Sequence, residues 1–229
     1  MQDQKCFLLS YIKYGDNDAV LHCFSQESGF ESFFARGIYA PRNKKKPYLI
    51  PLILLNISII PANKSGKIPN ISKLEPAEEH EEKGNLVQNT ILFFVAEFLN
   101  QVLREERQSE TIFHEITIVR KETLGGNINA YNAFLVKFLQ ISGIAPLLSD
   151  QQFLHPESGT FGHEEIHELF DEKLSQIWHH FLAAPNPYEI SLKRTDRNLF
   201  TDSLMRYYQI HFSGFRIPKS LEIMRQVYE

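Results

Sequence analysis

The chain has 229 residues, 43% of them apolar and 23% charged, with a formal net charge of -4. That length allows one large domain or two modest ones, and the apolar share suffices for a buried core. Only two cysteines are present, Cys6 and Cys23, which excludes a disulfide scaffold and a four-cysteine zinc site.

The first elements in chain order are strands. "KCFLLSYIKY" alternates and is rich in aromatic and β-branched residues, and "YGDND" supplies a turn. "AVLHCFSQ" predicts a second strand, placing both cysteines in strands as small buried thiols. "FESFFARGIY" predicts a third, with Gly37 marking a bulge or bend. "YLIPLILLNISII" predicts a long fourth whose Pro51 lies at an edge or bulge, and "GKIPNISKLE" a weaker fifth. Five short strands in so few residues suit a small closed or partly open barrel, residues 1–76.

The acidic stretch "EPAEEHEEKGN" follows, and residues 77–84 are expected to link the barrel to a helical domain, residues 85–229. Beyond it the period becomes that of helices. "NLVQNTILFFVAEFLNQVLREE" places Leu86, Ile91, Phe94, Val95, Phe98, Leu99 and Val102 at helical spacing, with Asn85 as N-cap. "SETIFHEITIVRKETL" and "NAYNAFLVKFLQISG" predict two more helices, the latter closed by Gly143 and Pro146. Residues 146–163 are irregular, with a small hairpin expected around "HPESGTF". Helices resume at "HEEIHELFDEKLSQIWHHFLA" and "TDRNLFTDSLMRYYQIHF", and "PKSLEIMRQVY" is read as a last helix with Pro218 at N1.

Charge is spread unevenly. Residues 1–74 hold ten Lys/Arg against five Asp/Glu, whereas residues 75–229 hold 14 against 23, and residues 32–74 contain no carboxylate. Within "FARGIYAPRNKKKPYL" stand Arg36, Arg42, Lys44, Lys45 and Lys46. Such cations at a barrel mouth neutralise phosphates with counterion release, and Phe34, Tyr39 and Tyr48 offer stacking faces for bases. The competing role is a solvated loop whose charges protect a sheet edge. We expect Arg36, Arg42, Lys44, Lys45 and Lys46 to contact DNA phosphate, joined by Lys13 and Tyr39.

Catalytic signatures are weaker. "HEEIH", residues 163–167, matches H-E-x-x-H, which on a helix would put His163 and His167 on one face with Glu164 as general base. "SGTFG" just before it places His163 at a frayed first turn, and a third ligand would come from His179, His180 or Glu189 without any motif. A zinc hydrolase is therefore the alternative reading, and a non-catalytic protein the expected one. "LGGNINA" lacks the phosphate-loop lysine, and no Ser or Cys sits in a nucleophile elbow. A further alternative is an adaptor that holds an acidic peptide through C-terminal arginines. Its candidates are Arg197, Arg206, Tyr207 and Arg216.

No apolar run reaches the roughly 18–20 residues that span a bilayer. The opening "MQDQKCFLLSY" lacks a basic leader with an apolar core, so a cytoplasmic protein without membrane contact is expected.

Specific residues also resemble a known family. Tyr14-Gly15, Glu27-Ser28-Gly29, Ala35-Arg36-Gly37, Arg42, Lys44 and Pro51 resemble the N-terminal barrel of the RecO recombination-mediator proteins. "LMRYYQIHFSGFRIPKSLEIMRQVY" is similar to that family's closing helices, through Tyr208, His211 and Lys219-Ser220-Leu221. The resemblance implies an α+β protein of two domains, an N-terminal OB-fold β-barrel followed by an all-α helical domain. It implies a bacterial, nucleoid-associated protein that binds single- and double-stranded DNA and anneals complementary strands. It would assist recombinase loading, with RecR and the C-terminal tail of single-stranded DNA-binding protein as partners, and no cofactor. Many relatives carry a four-cysteine zinc module in the helical domain; residues 144–165 contain no cysteine and read as its metal-free counterpart.

Overall fold

Alternation of apolar residues with polar ones builds the first half of the chain. In the computed structural model, which describes residues 2–60, 68–77 and 84–227, five strands result. They are β1 (Gln2–Tyr14), β2 (Asp18–Ser25), β3 (Gly29–Ala35), β4 (Leu54–Ile60) and β5 (Asn70–Pro76). Strand order β1-β2-β3-β5-β4 closes on itself: β4 pairs with β1, and β3 meets β5 in parallel at Phe34 and Asn70. That is the five-stranded barrel of the OB type.

Cys6, Leu8, Leu21, Cys23, Phe33, Leu55, Ile57 and Leu74 fill the interior. A bulge between Leu8 and Ser10 interrupts the β1–β2 register. Beyond it Tyr11 and Lys13 pair with Leu21 and Ala19, residues of the interior face, while Ile12 pairs with Val20. β4 reaches only as far as Phe7, so the end of β1 extends past the closed part of the barrel.

Two expected strands are shorter than their sequences suggested. The third stops at Ala35, and Gly37, at φ 66°, lies in the turn after it. The fourth starts at Leu54. Ahead of it the chain makes a single 3-10 turn at Lys46–Tyr48 and then a turn at residues 51–52. There buried Leu52 takes φ 58° and donates its N–H to Leu8 O at 2.7 Å. An apolar run long enough for a strand was thus spent partly on a turn, while Leu49 and Ile53 on either side of it join the barrel core.

Among the described residues six α-helices follow: α1 (Leu86–Val102), α2 (Glu110–Leu124), α3 (Ala130–Ile141), α4 (Glu172–Ala183), α5 (Arg194–His211) and α6 (Ser220–Val227). Asn85 caps α1 in a reciprocal box with Gln88. A short hairpin, β6 (Phe153–His155) with β7 (Thr160–Gly162), forms where one was expected. The helix expected to begin at "HEEIH" does not: residues 163–167 are non-helical, and α4 begins after Asp171, whose carboxylate accepts from Leu174 N. α6 likewise begins at Ser220, two residues beyond Pro218.

The chain divides into two compact units, Met1–Phe113 with Pro218–Glu229, and His114–Ile217. Of the expected linker at 77–84, residues 78–83 lie outside the described residues. The first unit joins the barrel to α1 and α6, with the Phe7 ring 4.8 Å from that of Phe113. The second is built on α3 and α5. Within it the Trp178 indole donates to Ser203 Oγ at 2.9 Å, and the Tyr208 hydroxyl donates to Leu135 O at 2.7 Å. Among the described residues no helix is long and apolar enough to cross a membrane.

Candidate nucleic-acid interface

A basic loop is useful for binding only if something holds its charges in place. Residues 36–49 are held at both ends and in the middle. Gly37 N donates to the Asp18 carboxylate at 2.7 Å, and Tyr39 N donates to Asn17 O at 2.8 Å. The loop is thereby tied to the β1–β2 turn. In its centre the Asn43 amide donates to Gly37 O and its oxygen accepts from Lys45 N, each at 2.8 Å. Asn43 thus does locally what a strand ladder would otherwise do. Pro47 then opens the 3-10 turn, closed by Leu49 N donating to Lys46 O at 3.1 Å.

Arg36, Arg42, Lys44 and Lys46 are exposed and Lys45 half-buried. Among the described residues none of the five meets a carboxylate in an ion pair. Lys13 arrives from the end of β1. Its ammonium and that of Lys46 each lie 5.8 Å from the centre of the Tyr39 ring. Such cation–π contacts at an exposed site contribute about 0.5–1 kcal/mol. Partial burial, and secondarily neighbouring Tyr11, push the Tyr39 phenol above its usual range, so it stays neutral. The structure therefore brings Lys13, Tyr39 and Lys46 together and leaves Arg42 and Lys44 projecting alongside. Sequence reasoning missed Asp18, Asn43 and Tyr11. The liking of Asn for local backbone bonds in turns was the available signal for Asn43.

Other candidates fare differently. Cys6 and Cys23 are free and fully buried, out of reach of a substrate, and the contact with Cys23, followed by burial, pushes the Cys6 thiol well up. His163 and His167 do not share a helical face. His167 Nδ1 instead accepts from Leu169 N, and His155 bonds Glu164 O at 2.9 Å. Among the described residues no group of three His, Cys, Asp or Glu side chains is placed to hold a metal. Both cysteines are inside the barrel, so residues 144–165, expected as a metal-free segment, contain no thiolate that could hold zinc.

Arg206 and Arg216 are exposed, as peptide contacts should be. Arg197, at 5% exposure, and Tyr207, at 1%, are buried in the second unit, which removes both from the expected peptide-binding set. The Tyr207 hydroxyl donates to Ile144 O, and burial raises its pKa to about 12. Both face inward because α5 turns its apolar stripe, with Phe200, Leu204 and Tyr208, toward the core.

Comparison with known proteins bears on the same residues. Residues 1–80, the barrel and its basic loop, match the family described as "Recombination protein O N terminal". The whole chain aligns with curated proteins named "DNA repair protein RecO". One from Flavobacterium psychrophilum is 25% identical over 233 residues, and one from Christiangramia forsetii 24% identical over 238. In both alignments 98% of each chain is covered. A further one, from Bacteroides fragilis, is 24% identical over 245 residues and 97% of each chain.

Proposed function

We propose that this chain, which belongs to the RecO family, is a non-catalytic DNA-binding protein of recombinational repair. Its relatives are named as DNA repair proteins, and that general role is the starting point. Here it anneals complementary single strands and assists recombinase loading onto DNA coated by single-stranded DNA-binding protein, in the bacterial cytoplasm. One observation carries the reading: five cations on a loop that hydrogen bonds hold to the barrel rim, none of them in an ion pair with a carboxylate among the described residues.

Annealing needs no reacting group or cofactor. Two phosphate backbones repel, and Lys and Arg side chains displace their counterions and screen that repulsion. Arg36, Arg42, Lys44, Lys45, Lys46 and Lys13 supply the charge, and Tyr39 a ring between two of them. RecR and the acidic tail of single-stranded DNA-binding protein are the protein partners, with exposed Arg206 and Arg216 as the carboxylate-binding groups.

Replacing Lys44, Lys45 and Lys46 together by alanine tests the site. Binding of a labelled oligonucleotide, followed across a salt series, should weaken, and the slope of log affinity against log salt should fall by about two to three. Annealing of complementary strands should slow in parallel. Unchanged affinity with an unchanged slope removes the loop from the interface.

A further inference from the structure

The barrel rim carries more than charge. Past the bulge, Tyr11 and Lys13 lie on the interior-facing side of β1, but beyond the span that β4 closes. Tyr11 is consequently 41% exposed, although it occupies a position that elsewhere in the strand would be core. Tyr39 comes to the same place from the loop. Part of its ring packs on the barrel core, its backbone is bonded to Asn17, and Lys13 and Lys46 flank it at 5.8 Å. Tyr11 stands two residues before Lys13 on the same face of β1, which brings it to the neighbourhood of Tyr39, whose pKa is raised by burial and secondarily by Tyr11. Three separate segments, the end of β1, the loop after β3 and the 3-10 turn, thus deliver two rings and two ammonium groups to one spot.

Phosphate contacts alone do not tell a single strand from a duplex, because both offer phosphates. Base faces do. In a duplex they are stacked and covered, whereas in a single strand they are free to lie on an aromatic ring. The Tyr39 ring is held from behind by the barrel core and Tyr11 is fixed by the β1–β2 ladder, so little ordering of the backbone is needed on binding. The lysines are well matched to such a ligand: an ammonium that leaves the ring face for a phosphate exchanges a weak contact for a stronger one.

We propose that Tyr11 and Tyr39 form a base-stacking platform that makes this barrel prefer single-stranded over double-stranded DNA, with Lys13 and Lys46 holding the phosphates on either side of the stacked base. The proposal rests on the DNA-binding reading above and adds a direction to it. An annealing protein that holds single strands more tightly than their duplex lets go of its product once pairing is complete.

The test compares the full-length chain with the double variant Tyr11→Leu/Tyr39→Leu, in which leucine keeps apolar contact with the core and removes the π-face. Fluorescence anisotropy measures binding to labelled oligo-dT and to a hairpin duplex of the same nucleotide count at one salt concentration. The wild type should bind oligo-dT more tightly. The double variant should lose roughly tenfold or more on oligo-dT and change little on the duplex, while Tyr39→Phe stays near wild type on both. Equal losses on the two ligands, no loss, or a wild type without preference overturn the platform and leave the basic loop standing. A wild type that binds neither ligand overturns the DNA reading itself.

Discussion

A methyl group at residue 29 would run into the backbone of Glu106 and Arg107. A Cβ built there stands 2.4 Å from Arg107 C, 2.6 Å from Arg107 O and 2.7 Å from Glu106 O, and Gly29 has φ +80°. Phe30 N donates to that same Glu106 O at 3.2 Å, so the segment is drawn against the β2–β3 turn and has no room to retreat. Gly29→Ala should cost more than about 1 kcal/mol, read as a lower urea midpoint with an unchanged slope. His22 acts through protonation. Burial, and next the Arg104 charge, lower its pKa below 6.5. As pH falls the unfolded chain takes the proton first, so the native state has its full stability above about 6.5 and loses some between there and the lowered folded-state value. Melting temperature should therefore drop from pH 7.5 to pH 5.5 by more in wild type than in His22→Gln. Ser28 and Gly29 are common turn residues, but the reason for glycine at this position lies about eighty residues downstream, where local pattern does not reach.

At the scale of elements, the β6–β7 hairpin shows what hydrogen bonds accomplish where a metal has no ligands. Ser175, buried on α4, accepts Leu154 N at 2.9 Å and donates to Phe170 O at 3.0 Å. His211 bonds Pro156 O at 2.8 Å, and Gly162 lies so close to the His155 ring that a Cβ would come within 2.3 Å. Ser175→Ala leaves a buried N–H and a buried C=O each short of a partner and should cost about 1–3 kcal/mol, measured by thermal melting. A chelator added to the wild type should leave its melting temperature unchanged. The hairpin was legible because Pro, Ser and Gly stand between two short apolar stretches. The loss of the "HEEIH" helix was not. Its alternation of acid and histidine fits a helix start well, yet Asp171 caps α4 eight residues after His163, and His167 caps only a 3-10 turn. The turn at residues 51–52 escaped for the opposite reason, since an apolar run looks the same whether it pairs as a strand or bends into a turn.

For the whole molecule, the order of barrel then helices was readable, and so was the charge asymmetry that singled out the loop. Which helices complete the barrel unit was not, because that depends on a contact between distant parts of the chain. Glu97 on α1 accepts hydrogen bonds from Lys219 N at 3.1 Å, from Ser220 N at 2.9 Å and from the Ser220 hydroxyl. A carboxylate from one helix thus caps the N-terminus of another, where the helix dipole and the free N–H groups favour negative charge. Helix α6 has only eight residues and would be marginal by itself. It persists because Leu221 and Met224 are buried and because Glu97 satisfies its first turn. Glu97→Ala should therefore cost about 1–3 kcal/mol, and its place of action is the discriminating result. Hydrogen exchange should rise in α6 and along α1, both in the unit that holds the barrel, and remain unchanged in α3 and α5. Exchange that rises equally in all four helices would mean that Glu97 supports the chain as a whole and not the joining of its last helix to its first.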